Sequence, residues 1–231
     1  MSATDRFEHR RPVRSFVRRE GRMTDAQKDA LERLWSRYGV EASSGALDIP
    51  ALFGRTAPLV VEIGFGNGDH LAARAQTRPE CDFLGIEVHR PGVGRLLLQA
   101  EQLGLSNVRV ACTDAVEFLR DALPPGSVDE VVIFFPDPWP KKRHHKRRIV
   151  QPEFSAQITR ALRSGGHLRL ATDWADYARH MLAVLDAEPQ LENVAGVGTF
   201  VPRPEDRPLT RFEARGIRLG HEVFDLDYRR R

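Results

Sequence analysis

The chain is poor in cysteine, with Cys81 and Cys112 alone among 231 residues. Neither has the spacing to other Cys or His that a structural or catalytic metal site requires, so both read as reduced core residues and no metal is expected. Long apolar runs are also missing. The longest have the length of a strand, far from the roughly 20 residues a membrane helix needs, so no membrane partner is expected. The N-terminus has no apolar core of the kind a signal peptide carries, and a cytoplasmic protein is the default expectation. There is no internal repeat and no low-complexity tract. Composition leaves monomer and homodimer equally open.

What is present is positive charge in concentrated form. The net charge is only +3 with a pI near 9.1, yet the first 22 residues hold seven Arg and residues 141–148 hold six Lys or Arg. Local positive charge on a nearly balanced protein points to a polyanionic partner. Residues 1–23 read as a basic flexible arm. Residues 24–57 read as a helix and linker, since Thr24 and Gln27 have capping-box form and Leu31, Leu34, Trp35 and Tyr38 recur at helical spacing before Gly39. Trp35 is expected in the core.

Residues 58–231 form the third region. Strands are expected at 59–63, 83–88, 108–112, 128–135 and 167–171, alternating with helices at 69–78, 92–103, 115–122, 152–162 and 175–185. That alternation describes an α/β fold with a doubly wound, parallel sheet. Two more polar strands are expected at 194–201 and 217–228, separated by a Pro/Arg loop.

The first strand leads into VEIGFGNGDHL, with glycines at 64, 66 and 68. This is not the dinucleotide GxGxxG pattern, but it removes side chains where a ligand would meet a helix N-terminus. Glu87 ends the second strand 23 residues after Gly64, an offset at which an acid takes both hydroxyls of a ribose. Asp69 at the helix start would repel a pyrophosphate, and Glu62 adds a second acid on the strand face of Gly64. The pair favours the cationic S-adenosylmethionine over NAD. Asp114 either accepts from the adenine amino group or caps its helix, or does both.

The fourth strand ends in FFPDPWPKKRHHKRR. Proline fixes φ and lacks an N–H, so the strand stops at Pro136 and leaves as a stiff loop. That loop brings one acid, Asp137, one aromatic, Trp139, and a dense basic block together. Such a set suits a site that reads a base while its neighbours hold phosphates. Trp139 either stacks on a base or wedges the loop. Lys141 and Arg143 to Arg148 are expected on phosphates. Asp173, after the fifth strand, either shares the base edge or caps the next helix.

VEIGFGNG, FLGIEVHRPGVG, LSNVRV, FFPDPWPKKRHHKRRIV, ATDW and TRFEARGIRLGHEVFDL together resemble the bacterial tRNA (guanine-N7-)-methyltransferase family, usually called TrmB, over about residues 58–228. The resemblance implies a class I, Rossmann-like methyltransferase fold using S-adenosylmethionine, with tRNA as partner and guanine 46 of the variable loop as target. It implies Glu62, Glu87, Asp114 and Asp137 as cofactor-site acids beside Gly64, Gly66 and Gly68, with Asp137 also catalytic. It further implies Lys141, Asp173, Thr210, Arg211, Phe212 and Glu213 as substrate-binding. Arg143, His144, His145, Lys146, Arg147 and Arg148 match the RNA-contacting block. The N-terminal arm carries no motif of the family. Two rivals stay open: an adenine-N6 or other base methyltransferase, since Asp137–Pro138–Trp139 is close to a D-P-P-Y loop, and a non-catalytic RNA-binding protein on the same fold.

Overall fold

The computed structural model describes residues 14–16, 21–41, 45–205, 207, 213 and 222–231. The expected substrate residues Thr210, Arg211 and Phe212 lie outside the described residues, as do residues 217–221 of the expected last strand.

Helix α1 (Asp25–Tyr38) starts with the reciprocal Thr24–Gln27 capping box and buries Ala30, Leu34 and Tyr38, which lie on one helix face. Trp35 sits at the rim of the core, its indole N–H on the Glu41 carboxylate. A short helix, α2 (Ile49–Phe53), was not expected from the sequence; Asp48 caps it and Pro50 occupies its first turn. Then come β1 (Leu59–Ile63), α3 (Asp69–Thr77), β2 (Asp82–Ile86), α4 (Arg90–Gln102), β3 (Val108–Ala111), α5 (Ala115–Asp121) and β4 (Val128–Phe134). A 3-10 helix over Lys142–Arg147 precedes α6 (Pro152–Ala161), β5 (Leu162–Thr172), α7 (Ala175–Asp186), β6 (Leu191–Asn193) and β7 (Phe224–Arg230). The strands and helices expected between 58 and 185 are all there, with β5 starting earlier than its apolar run.

The expected strand at 194–201 is a correction. Val194 and Val201 donate single backbone bonds to Asp227 and Asp225, the latter an isolated bridge, and the strand proper is β6, ending at Asn193. Gly196 and Gly198 take positive φ (94° and 74°), and the Gly198 N–H is held at 2.7 Å by Asp186, so the chain turns where extended backbone was expected.

The sheet order is β3-β2-β1-β4-β5-β7-β6, parallel from β3 to β5, with β7 antiparallel to both its neighbours. Successive strand residues face opposite sides, so Val61 and Ile63 join one apolar layer while Val60 joins the other. Fully buried Phe83 and Phe118 sit on opposite layers, and each contributes about 1.5–3 kcal/mol by burial. The order reverses between β1 and β4, and open α/β sheets form their ligand crevice beyond the carboxyl ends of strands at such a point. That places the glycine turn after β1 beside the Pro136–Pro140 loop after β4.

One charged cluster is buried within this frame. Arg74 of α3 makes a double hydrogen bond to Glu130 of β4 at 2.8 and 3.1 Å, both residues being more than nine-tenths buried. Burial pushes the Glu130 carboxyl upward, but the bonds from Arg74 together with the charges of Arg74, Arg169 and Arg78 hold the group below its ordinary range.

Candidate active site

At the β1/β4 switch lies a cleft of about 1080 Å³. Gly64, Glu87, His89 and Thr113 line one part of it, and Phe135, Asp137 and Trp139 line another. The sequence separation between Gly64 and Asp137 is closed by the sheet, because β1 and β4 are hydrogen-bonded neighbours.

The glycine turn is built as a cradle. Gly64 and Gly66 have φ of 73° and 59°, and a Cβ on either would meet no atom within 4 Å. Their backbone faces open space at positive φ, which suits a ligand lying against the main chain. The Gly66 N–H donates to one oxygen of Glu87 at 2.9 Å, and the other oxygen accepts from Val88 and His89 at 2.7 and 2.9 Å. Glu87 is therefore fixed at the mouth of β2 by three backbone donors.

The other expected acids divide. Glu62 is buried, its carboxylate 2.7 Å from Nδ1 of His70, and it is not among the residues that line the cleft. Asp114 caps α5 through the Val116 N–H at 2.9 Å, so its capping role is real. Asp69 turns toward α4, where Gln99 and Arg95 reach it at 2.6 and 3.2 Å. Its charge is thus partly offset by Arg95, and Asp69 no longer serves as a guide to the cofactor.

Beyond β4 the backbone is strained at two places. The Phe135 N–H completes the ladder on the Ala171 carbonyl at 2.8 Å, and then Phe135 takes φ of 52° and Trp139 φ of 47°. Bulky residues enter this region at a cost of about 1–3 kcal/mol each, and such strain concentrates at functional sites. Between the two strained residues, Pro136 and Pro138 leave Asp137 little freedom, and Asp137 is exposed into the cleft.

Trp139 is engaged on several sides. Its indole N–H donates to the Ser15 carbonyl at 3.1 Å, Arg147 lies 5.2 Å over its ring, and His144 packs edge-on at 6.0 Å. Ser15 and Phe16 line the cleft too, so this part of the expected arm adjoins the site. No motif in the arm gave that away.

The basic block holds Lys141, Lys142, Arg143 and Lys146 exposed, with His144, His145 and Arg147 half-buried. Arg148 differs and corrects the expected phosphate contact. It is 2% exposed, donates to the Pro138 carbonyl at 3.0 Å, pairs with Asp176 and lies 4.9 Å over the Tyr177 ring. No phosphate can reach a guanidinium so enclosed.

Asp173 is exposed just past β5, and the N-cap of α7 is Trp174, so Asp173 does not cap that helix. Glu213 is 1% exposed and bonded by Arg203 and Arg207. Hydrogen bonds from both arginines outweigh its burial and hold its carboxyl below the usual range. In that geometry Glu213 is engaged by Arg203 and Arg207. Among the described residues no group of three or more His, Cys, Asp or Glu could hold a metal. No helix among them is long and apolar enough to cross a membrane.

Comparison with known proteins fits this picture. Residues 56–226 match the family model described as "Putative methyltransferase". The tRNA (guanine-N(7)-)-methyltransferase of Alkalilimnicola ehrlichii is 59% identical over 96% of this chain and 94% of its own length. That of Leifsonia xyli subsp. xyli is 60% identical over 94% and 95%. Among solved structures, the 16S rRNA methyltransferase KamB superposes with a TM-score of 0.55 at 17% identity, covering 93% of this chain and 97% of that one. An rRNA methylase from Streptococcus thermophilus gives 0.51 at 14%, covering 75% and 87%. At those identities the structures speak for the fold, a class I methyltransferase fold. The chain belongs to the tRNA (guanine-N(7)-)-methyltransferase family.

Proposed function

We propose that the chain transfers a methyl group from S-adenosylmethionine to N7 of guanine in tRNA, at position 46 of the variable loop. The observation that carries the reading is that Asp137, held between two strained residues, opens into the same cleft as Gly64 and Glu87, with exposed lysines and arginines alongside.

The residues fit the cofactor. The open backbone at Gly64 and Gly66 would accept the ligand against the main chain, Glu87 would hold the ribose hydroxyls, and Thr113, which lines the cleft, with the adjacent Asp114 would hold the adenine. Glu62, at the end of β1, would add negative charge near the turn, which favours the cationic end of this cofactor over a pyrophosphate. When bound, S-adenosylmethionine supplies a methyl group activated by a sulfonium.

N7 of guanine carries an in-plane lone pair and no proton, so no general base is needed. The protein's share of the work is alignment at near-attack distance, together with charge. As N7 takes the methyl group the guanine becomes cationic, and its N1–H and exocyclic amine become better donors. A carboxylate accepting from that edge binds more tightly in the transition state than in the ground state, which raises the rate itself. Asp137 takes this role, and Asp173 shares the edge. Lys141, Arg143, His144, His145, Lys146 and Arg147 hold the phosphates of the surrounding strand.

The test is mass spectrometry of nucleosides from tRNA incubated with the pure chain and labelled cofactor. Label in 7-methylguanosine, mapped to the variable loop, supports the reading. Label in 6-methyladenosine, or none, overturns it.

A further inference from the structure

Arg207 is 3% exposed, and the chemistry described so far gives it no task. Its two terminal nitrogens donate to the two carboxylate oxygens of Glu213 at 2.6 and 2.7 Å. On its other side it meets both oxygens of Asp225, at 2.9 Å from Nε and 3.1 Å from Nη2. A guanidinium bound this way by two carboxylates has a fixed plane. Its central carbon lies over the rings of Phe134 and Phe135, 5.5 and 5.8 Å from their centres.

Those two phenylalanines are the last residues before Pro136 and Asp137. Phe135 holds its φ of 52° only because its surroundings over-determine it. Its backbone is fixed by Ala171, and Arg207 stands against its ring. Pro136 then passes the position on to Asp137 with little play.

We propose that Arg207 is a positioning residue: clamped by Glu213 and Asp225, it braces Phe134 and Phe135 and thereby sets where the Asp137 carboxylate stands in the cleft. This rests on the methyl-transfer reading of the same site and adds the residue that ties the Glu213–Asp225 ion cluster to the acid. Lysine cannot replace it, because an ammonium has neither a flat face nor a fork.

The experiment uses the full chain carrying Arg207→Lys. Its far-UV circular dichroism and its calorimetric affinity for S-adenosylmethionine are expected to stay close to the parent. The single-turnover rate at saturating tRNA and cofactor falls by about 100-fold, the scale of a 1 Å misplacement. Placed on Asp137→Asn, the same change costs nothing further, since both act through one carboxylate. Trypsin cleavage within Lys141–Arg147, mapped by mass spectrometry and independent of activity, becomes severalfold faster. Should Arg207→Lys fail to fold, Phe135→Gly removes the braced ring with the ion cluster intact and is expected to give the same rate loss.

A parent-like rate, losses that multiply with Asp137→Asn, a matching loss of cofactor affinity, or an unchanged trypsin pattern would each overturn the proposal. A parent chain that leaves tRNA guanine unmethylated counts against the function reading instead, and the trypsin pattern still decides the role of Arg207.

Discussion

Arg148 donates from Nε to the Pro138 carbonyl at 3.0 Å, so a residue of the basic block fixes the loop that carries Asp137. Its pairing with Asp176 anchors that loop to the start of α7 and holds the Asp176 carboxyl below its usual range. Within one run of charge, neighbours therefore have different duties.

Salt dependence separates those duties. Replacing Lys141, Arg143 and Lys146 together with alanine removes three of the proposed phosphate contacts and is expected to flatten the log–log salt slope of tRNA binding by about 2–3 units. Arg148→Ala leaves the slope where it was and lowers the methylation rate. Filter binding over a range of salt, with single-turnover kinetics, checks both. An Arg148→Ala slope reduced like the others would undo the distinction.

Asp137→Ala is expected to cut the single-turnover rate by about 10²–10³, the scale seen when one group tuned to the transition state is lost. Affinity for tRNA should change little, because the phosphate contacts remain. Rapid-quench methylation at saturating tRNA and cofactor reads this directly. A rate equal to the parent's there removes Asp137 from the chemistry.

His144 is expected to make tRNA affinity depend on pH. Partial burial, then the nearby Arg143, Arg147, Lys141 and Lys146, depress its imidazole below the ordinary histidine range. The Trp139 ring packs edge-on against it, 6.0 Å away. The free chain therefore carries His144 neutral at pH 7, and phosphates that offset those cations raise its affinity for a proton. Binding takes up that proton, so affinity rises as pH falls below 7, by at most about tenfold per pH unit for one group. The gain levels off once the free imidazole is itself protonated. His144→Gln should remove this component in titrations between pH 6 and 8, and a pH profile identical to the parent's would refute it.

The Arg74–Glu130 pair governs stability. Glu130→Ala strands a buried guanidinium and is expected to cost about 3–5 kcal/mol in urea unfolding. Because the folded Glu130 carboxyl is held below its unfolded value, its contribution is present above the unfolded pKa and is lost as pH falls through the folded one. Stability of the parent should thus decline through the acid range more steeply than that of Glu130→Ala. Equal acid limbs would show that Glu130 carries none of it.

Residue order alone determined the fold to the level of its elements. The apolar runs, helical spacings and turn glycines from Leu59 to Leu185 are local signals, and local backbone preferences act over the same range. Gly64, Glu87 and Asp137 were legible because each stands at a strand end, where the chain must turn, and because their motifs match a family. Glycines 196 and 198 overrode the apolar run around them, which is why the strand expected there became a turn. Only the folded chain decided which charges are free. Arg147 and Arg148 are adjacent and chemically identical, yet one lies over Trp139 at the surface and the other is enclosed by Pro138, Asp176 and Tyr177. Likewise Arg207, Glu213 and Asp225 meet in one buried ion cluster across a separation of 18 residues, and no local pattern encodes that. Burial of a charge depends on partners distant in sequence, so it is a property of packing and not of the residue.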